Sequence, residues 1–147
     1  MNVYITLTKK HQQEVNDFPF FFAFDKKQFN DGMRELGLNP TDTDKIYSLS
    51  GTGGYYRKSD SKMLHEMFDR HEKERQSAID ADTTGDGFIF DMFNYELGNH
   101  EYVVTYDETD AIYALGLSVE DVYSSKKLLH GLRKAKKAQL DWYAKHG

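Results

Sequence analysis

The chain has 147 residues, with 19 Lys and Arg, 24 Asp and Glu and no cysteine, for a net charge of −5. This length suits one domain with a buried core, and the missing thiols exclude disulfide frameworks, thiolate zinc fingers, iron–sulfur sites and cysteine nucleophiles. No apolar run approaches the ~18 residues of a membrane span, the N-terminus MNVYITLTKK lacks a signal-peptide core, and 21 aromatic residues set the chain apart from disordered sequences, so a folded cytosolic protein is expected.

In chain order, residues 8–17 read as a short polar helix ending before Pro19, and the apolar run 20–24 as a buried strand too short to be helical. Asp25 stands three residues before Gln28, a capping-box spacing, and Phe29, Met33 and Leu36 follow at helical intervals to a stop at Gly37. Residues 45–50 alternate apolar and polar, Gly51-Thr52-Gly53-Gly54 reverses the chain and 55–58 returns, predicting a β-hairpin over 45–58. Those glycines lack the P-loop lysine and the G-x-G-x-x-G spacing, so they read as a turn and not as a phosphate cradle. Ser59 or Ser61 caps a helix to about residue 79, the loop 80–87 follows, and a second helix runs from about 88 to 100. Residues 102–106 alternate and read as a further strand. Thr109 caps a short helix to Leu115, and Ser118 starts another. The last helix spans about 126–145, its apolar stripe Leu128, Leu132, Ala135 and Trp142 widened by Leu129 and Tyr143. The expected fold is α+β: one helix-rich domain over 1–147 with a small antiparallel sheet and a central antiparallel helix pair.

That helix pair is the most informative region. At 100° per residue, Leu64, Met67, Phe68, His71, Ala78 and Ile79 share one apolar face, with His71 near its centre. On the second helix Glu96 and His100, one turn apart, fall near the centre of the face marked by Ile89, Met92, Phe93 and Leu97. A buried carboxylate needs compensation. It can come from a divalent metal, for which two histidines and a glutamate suit zinc, from a plain His–Glu ion pair, or from a helix register that returns these groups to solvent. His65, or else Asp69 or Glu72 on the same flank, is placed to add a fourth ligand. The H-E dipeptides are not H-E-x-x-H, because His65 and His71 are six apart. The loop from Asp82 to Ile89 resembles a calcium loop in its Asp, Thr, Asp and Gly spacing, but Phe93 stands where the bidentate glutamate belongs. The bland alternative is an Asp/Gly turn in which Asp86 caps the second helix.

Charge is unevenly placed. The region 126–147 carries seven Lys and Arg against Asp141 alone, whereas 76–125 holds 11 acids and no Lys or Arg. Net charge argues against nucleic acid as the partner, and the long acidic segment suits a protein with a basic surface.

The stretches 44–74 (DKIYSLSGTGGYYRKSDSKMLHEMFDRHEKE) and 87–102 (GFIFDMFNYELGNHEY) resemble a family of small proteins carried by bacteriophages and mobile elements. In size, acidity and the His71, Glu96, His100 set, the chain also looks like a metal-containing type II-A anti-CRISPR protein. That resemblance implies a stoichiometric, non-catalytic inhibitor that binds Cas9 or a similar host nuclease, with a structural metal, zinc before calcium. The alternatives are a metal-dependent hydrolase using the same zinc site and a calcium-binding helix–loop–helix module.

Overall fold

The computed structural model describes residues 2–147. Among them are eight α-helices and one three-stranded antiparallel sheet, the helix-rich α+β class expected. The chain divides into two compact units, residues 2–11 with Lys73–Gly147, and Gln12–Glu72.

The first unit is helical. It contains the start of α1 (Val3–Asp17), the end of α3 (Ser61–Ala81), α4 (Phe88–Asn99), α5 (Tyr102–Thr105), α6 (Thr109–Ala114), α7 (Val119–Tyr123) and α8 (Lys126–His146). Its core is centred on α4, whose Ile89, Met92, Phe93 and Leu97 are wholly buried. Ile112 from α6, Val122 from α7, Leu132 and Ala135 from α8, and Tyr4 from α1 close around them. Burying each large apolar side chain contributes about 1.5–3 kcal/mol. α8 can approach α4 closely because position 131 is glycine. A Cβ there would lie 2.5 Å from Ile89 Cγ2 and 2.9 Å from the Gly85 carbonyl oxygen.

The second unit holds the end of α1, β1 (Phe21–Phe22), α2 (Lys26–Glu35), β2 (Ile46–Leu49), β3 (Gly54–Arg57) and the start of α3. Strand order is β1–β3–β2, with Phe21 opposite Tyr55 and Tyr47 opposite Tyr56. Alternation along the strands gives the sheet two apolar faces. Phe21 and Tyr55 pack with Phe29 and Met33 of α2, while Tyr56 and Phe20 pack with Leu64 and Met67 of α3 and with Val15 and Phe18 at the end of α1.

Local signals explain most boundaries. Asp25 caps α2 by accepting the Gln28 N–H at 2.7 Å, and Ser118 and Asp121 close a reciprocal capping box on α7. Four expectations are corrected. α1 begins at Val3 and not at residue 8, because Asn2 caps it through the Ile5 N–H, 3.0 Å away, and Tyr4 buries its ring in the first core. Residues 102–105 form one helical turn instead of a strand, bracketed by Glu101 and Tyr106 in the left-handed region at φ 56°. Thr109 is the first residue of α6 and not its cap: the cap position is Glu108, which makes no side-chain cap bond, and Asp107 before it accepts the Thr109 N–H at 2.9 Å. The α8 stripe stops short of its end, since Trp142 is 62% exposed and Tyr143 is also exposed.

Candidate functional site

The helical-face reading placed His71 and Glu96 inside, and they are the buried charged or polar side chains of the described residues, 8% and 6% exposed. His65 and His71 belong to the second unit, Glu96 and His100 to the first. Each buried group has a partner within its own unit. His71 Nε2 lies 2.8 Å from Glu14 Oε2, and Arg70 donates to both Glu14 oxygens at 3.2 and 2.5 Å. Hydrogen bonds from Arg70, and then from His71, push the Glu14 carboxyl down to about 2.

Glu96 accepts from the Tyr4 hydroxyl at 3.1 Å and from Asn99 Nδ2 at 3.5 Å. Burial first, and the charge of Glu96 second, push the Tyr4 phenol up to about 12. His100 is half-buried and ends α4, its backbone N–H donating to the Glu96 carbonyl. His65 is exposed, with Nδ1 2.8 Å from the Ser61 carbonyl oxygen. Among the described residues no group of three or more His, Cys, Asp or Glu side chains is arranged to hold a metal ion.

The calcium-like loop is organised by hydrogen bonds from its own backbone. Asp82 accepts the N–H groups of Thr84, Gly85, Gly87 and Ile89 at 2.9–3.2 Å. Burial alone would raise its carboxyl, but these four donors outweigh it and hold the group below its ordinary value. Asp82, not Asp86, therefore serves the start of α4. Asp86 instead meets Lys134 at 2.9 Å and His130 at 2.7 Å on α8, and these contacts lower its carboxyl as well.

The acidic segment 76–125 is also largely committed. Beyond Asp82, Asp86 and Glu96, Asp80 accepts from Gln76, Asp91 from the Val3 N–H, Asp107 from Thr109, and Asp121 from Ser118. Glu108 accepts from the Tyr123 hydroxyl, and Lys136 stands 3.2 Å from its other oxygen, a Coulombic contact whose direction is poor for a hydrogen bond. Glu101, Asp110 and Glu120 make no such side-chain contact among the described residues.

A groove in the second unit offers a freer surface. It has a volume of about 720 Å³ and lies between the last turn of α1 and the first turns of α3. Phe18, Pro19, Met63 and Met67 give it an apolar lining, and Glu14, Asp17, Glu66 and Arg70 its charged one. Glu14 is balanced by Arg70 and His71, whereas Asp17 is met by Gln13 at 2.9 Å and Glu66 by Lys62 at 3.8 Å, both on the solvent side of their helices. Of the lining residues, sequence patterning marked only Met67, as part of the apolar face of α3. Phe18-Pro19 reads as a helix stop, and the Glu14–His71 contact spans 57 residues.

The model of a family of unknown function (DUF7659) matches residues 3–138, and the chain belongs to that family. No curated protein and no solved structure matches the chain. Among the described residues no helix is long and apolar enough to cross a membrane.

Proposed function

We propose that this member of the DUF7659 family acts by binding a protein partner with a basic surface, and performs no covalent chemistry itself. The observation that carries this reading is the apolar surface of the second unit. Within 61 residues, Phe22, Phe24, Tyr47, Met63 and Phe68 are all exposed, Phe24 by 80% and Met63 by 59%. Phe22 and Tyr47 are joined through Phe20 and Tyr56 by ring contacts of 5.8–6.4 Å, an exposed apolar strip on one face of the sheet of the kind that another molecule covers. The same unit carries 11 acidic and 8 basic residues, so its field favours a cationic partner. His71 and Glu96, the groups best placed for buried acid–base work, are engaged by Glu14 and Tyr4.

A host nuclease of the Cas9 type meets this description, because a protein that holds nucleic acid presents basic channels. The test is size-exclusion chromatography of the full chain with purified Cas9 proteins and with other basic nucleic-acid-handling proteins. The expected outcome is a stoichiometric complex that survives about 0.15 M salt and weakens as salt rises. Failure to form a complex with any of them overturns the reading.

A further inference from the structure

The groove described above combines two surfaces that a single small ion or small apolar ligand would not use together. Its floor is apolar and adaptable, since methionine side chains repack around differently shaped partners. The apolar surface also continues beyond the groove. Phe18 touches Phe20 with ring centroids 4.7 Å apart, and Phe20 touches the exposed Phe22 at 6.4 Å. This path carries apolar side chains past the groove lining and suits a stretch of polypeptide.

The charge of the lining sets the sign of the occupant. Glu14, Asp17 and Glu66 against Arg70 leave two negative charges. Arg70 is spent on Glu14, so the two carboxylates left to meet an incoming group are Asp17 and Glu66. The Glu66–Lys62 pair is exposed at 3.8 Å, and exposed pairs of this kind hold their partners weakly. A cation arriving from outside can therefore displace Lys62 at little cost. Met63, three residues before Glu66 on α3 and in the same groove as Asp17, is open to solvent, and Met67 one turn further on is buried.

We propose that this groove is the docking site for a cationic amphipathic segment of the partner protein. An apolar side chain of that segment seats on Phe18, Met63 and Met67, and flanking Lys or Arg side chains reach Asp17 and Glu66. The proposal rests on the binding reading above and gives it a location.

The test uses the full chain and a fluorescein-labelled amphipathic helical peptide of leucine and lysine, with a leucine–glutamate peptide of the same spacing as its counterpart. Binding is read by fluorescence anisotropy. The leucine–lysine peptide should bind the natural chain. The double variant Asp17→Lys/Glu66→Lys should weaken binding by about tenfold or more, because charge reversal turns attraction into repulsion at the contact, and separately Met63→Lys should do the same by replacing an apolar contact with a like charge. Asp31→Lys, an exposed change on α2, should leave it unaltered. All these positions are exposed, so far-UV circular dichroism should show unchanged folds. No peptide binding, equal binding by the groove variants, or equal binding of the leucine–glutamate peptide overturns the proposal. The same variants are then carried into the complex with the partner protein. A complex that forms with the natural chain and survives both groove variants overturns the docking site while leaving the binding reading intact. A natural chain that forms no complex overturns the binding reading itself.

Discussion

Glu14 is a carboxylate held well below its ordinary value by two named partners, Arg70 and His71. Its carboxyl titrates near 4.5 when free and near 2 when Arg70 and His71 hold it. A folded-state value below the unfolded one means that the folded chain binds fewer protons. The stabilisation is thus fully present above about pH 4.5 and is lost as pH falls toward 2. Glu14→Gln should remove this share of the acid sensitivity. Thermal melts followed by circular dichroism at pH 6, 4 and 3 should show a smaller fall in Tm for the variant than for the natural chain, and parallel falls would show that the pair contributes nothing. The same residues mark how far patterning reaches at this scale. The 100° rotation per residue correctly turns His71 and Glu96 inward, because burial is a property of one helix face. What meets them is supplied by Glu14 and Tyr4, 57 and 92 positions away along the chain, and periodicity within a helix holds no information about such pairings.

Among the elements, the crossing of α4 and α8 depends on a missing side chain. Gly→Ala within an exposed helix ordinarily stabilises by about 0.5–1 kcal/mol. At Gly131 the added methyl would meet Ile89 Cγ2 at 2.5 Å and the Gly85 carbonyl oxygen at 2.9 Å, and the latter is backbone that cannot rotate away. Gly131→Ala should therefore destabilise by about 1–3 kcal/mol, the usual cost of overpacking. Urea unfolding checks the sign, and a stabilised variant would mean that the helices separate readily at this point. Elements with a cap or a strong period, such as α2, α7 and the hairpin, were legible from the chain alone. Residues 102–106 were not, because a run of five apolar and hydroxyl side chains satisfies a strand and one helical turn equally well. The choice is made by the left-handed residues at both ends, Glu101 and Tyr106, and neither is a glycine that would advertise the bend.

At the scale of the whole molecule, apolar burial is unequally shared. The first unit holds a cluster of 14 buried residues, whereas the second holds two clusters with three buried residues each. Local opening is easiest where few apolar contacts must be broken. Hydrogen exchange followed by mass spectrometry should find the amides of α4 and the middle of α8 slowest, with β1–β3 and α2 exchanging through lower-energy openings. Equal protection of the sheet and α4 would contradict that ranking. A unit with a thin core and an exposed apolar surface is also the one placed to adjust to a partner. The solvent-facing end of α8 has a practical consequence of another kind. Trp142 is the chain's single tryptophan, stacked on His146 outside the core at a centroid distance of 4.6 Å. Indole emission therefore works as a local probe of whatever approaches the C-terminal helix, and it is nearly blind to the melting of the interior, which must be followed through the tyrosines or the backbone.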